Sequence, residues 1–222
     1  MHLPAERRYL FGLGVATLMS LGFVVASSMS VNELTYPYLV WNLFLAWLPL
    51  VFAIWLRHIL SYKLWSSWEA VIVTCVWLAL LPNSFYMVSD FIHLAELTPD
   101  QVLLGAVTFT SFVFTGLCLG VSSLYLVHRE FLKRVSGRAA AGIVAALLFV
   151  ASVAIYVGRD LRWNSWDVIL NPFGLLFDLS DRLLHPSQYG QVLSVVLPFF
   201  VLLTVIYYVA WQMIAPRRST KA

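Results

Sequence analysis

The stretch AVIVTCVWLALLPNSFYMVSDFIHL, residues 70–94, decides the fold. Its first part is long and almost purely apolar, and its second part adds a proline, an amide, a phenol, a carboxylate and an imidazole. A membrane-crossing helix needs about 20 predominantly apolar residues to cover a hydrocarbon core about 30 Å thick. The stretch therefore predicts a span that ends in a polar segment at one membrane surface.

The composition of the whole chain favours a membrane environment. Of its 222 residues 61% are hydrophobic and 11% are charged, whereas soluble domains have about 45–50% apolar and about 25% charged residues. The net charge of +3 gives no support for nucleic-acid binding. The sequence has no CxxC, GxGxxG, Walker or HExxH pattern, so nothing indicates nucleotide or zinc-protease chemistry, and we expect no cofactor.

Six segments have the length and apolarity of a span, which predicts an all-α polytopic membrane protein with a bundle of about six transmembrane helices. They are Tyr9–Met29, Tyr38–Trp55, Ala70–Val88, Val102–Val127, Ala139–Gly158 and Val192–Ile214. We expect residues 1–222 to form a single integral membrane domain. The first segment has an alternative interpretation as a signal peptide with a cleavage site at Ala26-Ser27-Ser28.

Basic residues predict the direction of the spans, because cytoplasmic loops are enriched in Lys and Arg. With the N-terminus in the cytoplasm, 11 of the 14 Lys and Arg residues lie on the cytoplasmic side. Only Arg159, Arg162 and Arg182 then face outward, together with 8 of the 11 acidic residues. We therefore expect both termini to be cytoplasmic.

Four polar residues share one face of the helix predicted for the third span: Asn83, Tyr86, Asp90 and His93. Their spacings of 3, 4 and 3 place them within an arc of about 80°. Pro82 cannot donate its helical hydrogen bond, so we expect a kink that turns this face toward the bundle axis. Asn42 lies about one turn inside the second span, and an amide in hydrocarbon needs a partner, for which Asn83 is one candidate.

A second set of polar residues lies in the external loop 159–191, which includes GRDLRWNSWDVILNPFGLLFDLSDRLLHP, residues 158–186. Asn164 can cap a helix and Asp167 can reach back to it. After Pro172 an amphipathic pattern predicts a short helix on the outer membrane surface, or a lid over the bundle. We predict that the two loops line one external polar pocket, which comprises Asn42, Asn83, Tyr86, Asp90, His93, Arg159, Asp160, Arg162, Asn164 and Asp167.

Three stretches of the chain resemble one known family: LPNSFYMVSDFIHL, GRDLRWNSWD and NLFLAWLP, the last at residues 42–49. The family consists of bacterial multi-pass membrane proteins catalogued as domain of unknown function 1361. The resemblance implies an integral protein of the bacterial cytoplasmic (inner) membrane. It supplies no reaction and no catalytic residue.

The chemistry of the polar residues has two interpretations. Asp90 and His93, one helical turn apart, could act as an acid–base pair or as two metal ligands. A third ligand would then come from Asp160, Asp167 or His185. The favoured interpretation is structural, an Asp–His or Asp–Arg pair that ties two external loops together, because buried charges are normally paired. Arg159 and Arg162 likewise could hold an anionic headgroup or pair with neighbouring carboxylates.

Three classes of function follow. We favour a protein whose outer polar pocket is structural or binds a partner or a lipid headgroup. The alternative is an intramembrane enzyme acting on a lipid-linked or envelope substrate, with Asp90 and His93 at its centre. A transporter is disfavoured, because we find no ionisable residue near the bilayer midplane. Gly116 and Gly120 form a small-residue face that predicts helix packing inside the chain first, and contact with a homo-oligomer or membrane-protein partner second.

Overall fold

The computed structural model describes residues 5–31, 35–160, 171, 173, 174, 177, 180, 181 and 191–214. Within these residues six helices are long and apolar enough to cross a membrane, which confirms the predicted all-α polytopic fold. They are α1 (Ala5–Val31), α2 (Pro37–Ile59), α3 (Trp68–Tyr86), α4 (Val102–Phe131), α5 (Gly137–Asp160) and α6 (Gln191–Ile214). A 3₁₀ helix, Met87–Glu96, continues α3.

The chain divides into two compact units, unit 1 at Met1–Glu130 and unit 2 at Phe131–Ala222. Unit 1 holds α1 to α4, and unit 2 holds α5 and α6. The expectation that residues 1–222 form a single domain stays a prediction.

The ends of α2 follow from local chemistry. Pro37 occupies the start of the helix, where its fixed φ fits and its missing N–H removes no hydrogen bond. Arg57 and His58 lie in the last turn, where a positive charge interacts favourably with the helix dipole. The residue before the helix, Tyr36, has φ 56° and ψ 40°, a left-handed conformation that is rare for a bulky side chain.

Hydrogen bonds join the four helices of unit 1 into a closed ring. The pairs between α1 and α4 are Ser27 with Thr108 at 3.1 Å, Ser20 with Thr115 at 3.3 Å and Tyr9 with Ser122 at 2.8 Å. The other helix pairs are joined by Trp47 donating to Thr17, Ser84 donating to the Ala46 carbonyl and Trp77 donating to Ser123. Each helix therefore bonds to two neighbours. Side-chain hydroxyls and indoles are common links between membrane helices, where apolar burial alone does not drive association.

Two glycines let α4 approach α3 closely. A Cβ on Gly116 would lie 2.8 Å from the carbonyl oxygen of Ser84, and one on Gly120 would lie 2.6 Å from the ring of Phe85. The face of α4 that carries both glycines is thus covered inside unit 1, as its first interpretation predicts. Contact of this chain with an oligomer or partner stays a prediction.

Unit 1 has two chemically different ends. We call the end that carries the C-terminus of α1 and the 3₁₀ helix the Asp90 end, and the opposite end the Arg57 end. At the Arg57 end, the two terminal nitrogens of the Arg57 guanidinium, Nη1 and Nη2, donate to the Glu6 carboxylate, at 2.9 and 3.1 Å. Lys63 also pairs with Glu69 there. The sequence has no Lys or Arg from residue 9 to 56 or from 64 to 128, so the basic residues of unit 1 all belong to the Arg57 end.

In unit 2, α5 and α6 pack against each other. Tyr156 and Val157 of α5 form an apolar cluster with Val192 and Val196 of α6. Between these helices, residues 173, 174, 177, 180 and 181 are helical, in the part of the sequence where an amphipathic helix is predicted. Asn171 caps it by accepting from the Gly174 amide at 3.1 Å. The cap predicted at Asn164 and Asp167 lies outside the described residues.

Candidate functional site

An antiparallel line of contacts joins α2 to α3 and its 3₁₀ extension. The Ser84 hydroxyl donates to the Ala46 carbonyl at 2.8 Å, and Asn42 Nδ2 donates to Asp90 Oδ2 at 3.1 Å. In the last contact the Tyr38 ring packs against the His93 ring, with centroids 5.1 Å apart and the ring planes tilted by 53°. We call these three contacts the α2–α3 seam. It runs from the middle of the helices to the Asp90 end.

The change of helix type at Met87 aligns the end of the seam. In a 3₁₀ helix side chains three residues apart lie above one another, so Met87, Asp90, His93 and Glu96 share one face. Along this face Met87 is 0% exposed and Asp90 2%, His93 is half-buried, and Glu96 is exposed. The face therefore leads outward from the core of unit 1. A 3₁₀ helix of 10 residues is unusually long, because runs beyond about 3–4 residues are uncommon.

Asp90 is the buried charge of this region. α3 has 19 residues and is about 28 Å long at 1.5 Å per residue, so it covers most of a hydrocarbon core, and Asp90 follows one 3₁₀ turn later. The Asn42 amide gives the carboxylate a donor that crosses from another helix. This contact corrects one expectation: Asn42 bonds to Asp90, while Asn83 donates to the Leu80 carbonyl of its own helix at 3.1 Å.

His93 also has a partner that the sequence analysis missed. Its Nδ1 lies 3.1 Å from Glu96 Oε1, one 3₁₀ turn further on. The signal was present as a His-x-x-Glu spacing, which on an α-helix or a 3₁₀ helix places the two side chains on neighbouring positions. A carboxylate beside one ring nitrogen orients the imidazole and leaves the other nitrogen for another role.

The predicted α-helical face is wrong beyond Tyr86, because the helix changes type there. Asn83 and Tyr86 are half-buried on α3, and Asp90 and His93 follow the period of the 3₁₀ helix instead. Arg159 is half-buried at the end of α5 in unit 2. The side chain of Asp160 and residues Arg162, Asn164 and Asp167 lie outside the described residues. Convergence of the two loops stays a prediction.

Metal binding stays a prediction as well. Among the side chains that the structure describes, no group of three His, Cys, Asp or Glu residues could share one ion. The third ligands considered from the sequence, Asp160, Asp167 and His185, have side chains outside the described part of the chain.

A cavity of about 300 Å³ lies at the Asp90 end of unit 1, beside the seam. We call it the end cavity, and it is lined by Ser27, Thr35, Tyr36, Leu97, Asp100, Gln101, Leu104 and Gly105. The Leu97 side chain needs the glycine at 105, because a Cβ there would lie 2.2 Å from Leu97 Cδ1. The sequence analysis missed this cavity. Its local signal is Thr-Tyr-Pro-Tyr, residues 35–38, an aromatic pair around a helix-starting proline.

The Tyr36 ring connects the end cavity to the seam. It packs edge-on against Phe109 at 5.1 Å and against Tyr38 at 6.4 Å between ring centroids, and Tyr38 in turn contacts His93. These contacts offset the cost of its left-handed backbone, which is about 1–2 kcal/mol for an ordinary residue. Residues held in such conformations cluster at binding sites and ligand clamps.

A family model matches most of the chain. The model of a family described as protein of unknown function (DUF1361) matches residues 41–206, which is 166 of the 222 residues. No curated protein and no solved structure matches the chain. The match confirms the resemblance of residues 42–49, 81–94 and 158–167. The matched range includes every residue of the α2–α3 seam except Tyr38.

Proposed function

The chain belongs to the DUF1361 family of proteins of unknown function, and from that premise we propose that it is a membrane protein that binds a lipid headgroup. The proposed site is the end cavity together with the adjoining α2–α3 seam. The protein would be a multi-pass component of the bacterial cytoplasmic membrane, with the Asp90 end exoplasmic and both termini cytoplasmic. The orientation follows from the positive-inside rule, since the basic residues of unit 1 belong to the Arg57 end.

One observation carries the proposal. A buried carboxylate, Asp90, is fixed by an amide from a second helix in a layer that adjoins a cavity of ligand size. Small-molecule sites are concave and mostly apolar with a few fixed polar groups, and have volumes from about 300 Å³ upward. At the end of membrane-spanning helices, the molecules in constant contact with such a cavity are the phospholipids of that leaflet.

A lipid-binding test uses the delipidated protein in detergent. We expect added short-chain phospholipid of at least one headgroup class to raise its melting temperature. Gln101→Trp fills part of the end cavity and should remove that rise. Leu103→Trp adds the same bulk at a position that is 78% exposed and should keep it. The proposal fails if no phospholipid stabilises the wild type, or if both Trp variants respond alike.

An intramembrane enzyme is the alternative, and one observation favours it. Asp90, His93 and Glu96 form a row on one face of the 3₁₀ helix, and a carboxylate beside an imidazole is a common arrangement of a general base. A metal enzyme of this kind predicts a stoichiometric transition metal that is lost in His93→Ala while the fold survives. Metal content by mass spectrometry, measured beside the melting temperature, separates a metal enzyme of this kind from the binding protein.

A further inference from the structure

The end cavity has the chemistry of a site for a positively charged group. The residues that line it carry the carboxylate of Asp100, the amide of Gln101 and the hydroxyls of Thr35, Tyr36 and Ser27, with Leu97 and Leu104 as its apolar members. The Ser27 hydroxyl bonds to Thr108 and the Thr35 hydroxyl bonds to Ser28. Only one of these groups is charged, and it is negative. A phosphate or carboxylate ligand would meet repulsion from Asp100, whereas an ammonium group would be attracted to it.

The other charged residues at this end of unit 1 also favour a positively charged ligand. At the Asp90 end, unit 1 carries the acidic residues Asp90, Glu96 and Asp100, and no Lys or Arg occurs from residue 9 to 56 or from 64 to 128. A surface with one sign of charge raises the local concentration of ligands of the opposite sign. The negative charges of Asp90 and Glu96 therefore add to the attraction that Asp100 exerts on a cationic ligand.

Tyr36 supplies the second element of such a site. Tyr36 is one of the residues that line the cavity, and the face of an aromatic ring attracts ammonium groups, including the quaternary ammonium of choline. Burial raises the pKa of the Tyr36 phenol, so at neutral pH the hydroxyl stays protonated and can act both as donor and as acceptor. The same ring packs against Phe109, with centroids 5.1 Å apart.

We propose that the end cavity binds an alkylammonium group, with the carboxylate of Asp100 as its counter-ion and the Tyr36 ring as its aromatic wall. This inference rests on the proposed function and names the ligand class of the same site. The ammonium could belong to an aminophospholipid headgroup, whose chains would run along the apolar exterior of the helices, or to a free amine. Thr35 and Gln101 would then accept hydrogen bonds from the ammonium or from an adjoining hydroxyl.

The test compares three probes on the delipidated protein: short-chain phosphatidylethanolamine, short-chain phosphatidylglycerol and ethanolamine. Binding is followed by titration of the melting temperature. We expect phosphatidylethanolamine to bind at least about tenfold more tightly than phosphatidylglycerol, because a hydrogen bond to a charged group has a free energy of this order. Equal binding of the two lipids overturns the inference.

Two variants test whether the Asp100 carboxylate causes the preference for phosphatidylethanolamine. Asp100→Asn keeps the shape of the side chain and removes the charge. It should weaken phosphatidylethanolamine binding about tenfold, whereas phosphatidylglycerol binding should become tighter because the repulsion from Asp100 is lost. Glu96→Gln is the matched control, because it removes a negative charge at the same end from a side chain that does not line the cavity. An equal loss in both variants would mean that the general charge of this end, and not the cavity, selects the lipid, and it would overturn the inference.

The outcomes also separate this inference from the proposed function. If both lipids bind equally and Gln101→Trp abolishes both, headgroup binding stands and the amine preference fails. If ethanolamine binds with the Asp100 dependence and neither lipid binds, the ammonium site stands and the lipid function fails. If no probe binds the wild type, both fail.

Discussion

Removal of the Asn42 amide should destabilise the protein measurably, because Asp90 is 2% exposed and water cannot replace the lost donor. Asn42→Leu keeps a similar shape and removes the hydrogen bond of 3.1 Å. A hydrogen bond to a charged group contributes about 1.5–3 kcal/mol. The full penalty of about 3–5 kcal/mol for breaking a buried ion pair is not expected, since Asp90 has a further interaction besides Asn42.

The assay is thermal unfolding in a fixed detergent. For a chain of 222 residues, each kcal/mol shifts the melting temperature by about 2–4 °C, so Asn42→Leu should lower it by about 3–12 °C. Ser89→Ala is the control, because its hydroxyl bonds to the Tyr86 carbonyl of its own segment. We expect that variant to stay within about 0.5 kcal/mol of the wild type.

A double-mutant cycle decides whether the effect belongs to this contact. When both partners of a buried hydrogen bond become apolar, much of the penalty disappears. Asn42→Leu combined with Asp90→Leu should therefore be more stable than the sum of the single changes, by about 0.5–3 kcal/mol. Strict additivity, or a single Asn42→Leu variant as stable as Ser89→Ala, would refute the assignment of Asn42 as the partner of Asp90.

Two further predictions concern packing and the Arg57 end. Gly120→Ala should cost about 1–3 kcal/mol in thermal unfolding, because its Cβ would lie 2.6 Å from the buried ring of Phe85 and overpacking is costly. Gly12→Ala, with nothing within 4 Å of the new Cβ, should be neutral or slightly stabilising, and equal losses at both glycines would contradict this explanation. Glu6→Gln should cost less than about 1 kcal/mol, because Glu6 and Arg57 are 71% and 37% exposed and exposed ion pairs are weak. The difference from the wild type should shrink in 1 M salt, and a loss independent of salt would rule out an ion-pair origin.

The spans could be predicted from the sequence because each depends on one strong signal, a long apolar run bounded by polar residues. The segments predicted at 102–127 and 139–158, for example, fall on α4 at Val102–Phe131 and α5 at Gly137–Asp160. The polar end of the third span, where Asp90 lies, was predicted for the same reason, whereas the burial of its carboxylate is a finding of the structure. Both predictions depend on which residues are apolar and where the polar residues interrupt them, and neither depends on the details of the backbone.

The partners within the site could not be predicted. The change from α to 3₁₀ helix at Met87 alters which side chains align, and no periodic pattern in the sequence indicates it. The contact of the Tyr36 ring with Phe109 of α4 joins residues far apart in the chain, and no local pattern indicates it or the left-handed backbone of Tyr36. The end cavity depends on both features, so it became visible only in three dimensions.

Accessibility labelling tests the central claim, that the Asp90 end is an exoplasmic polar layer, most directly. Single cysteines replace Asp100, Ser61 or Arg162 in a background without Cys75 and Cys118, and intact cells are treated with a membrane-impermeant maleimide. Our account predicts that Asp100→Cys and Arg162→Cys react in intact cells, and that Ser61→Cys reacts only after permeabilisation. Reaction of Ser61→Cys in intact cells, or protection of either of the other two until permeabilisation, would contradict it.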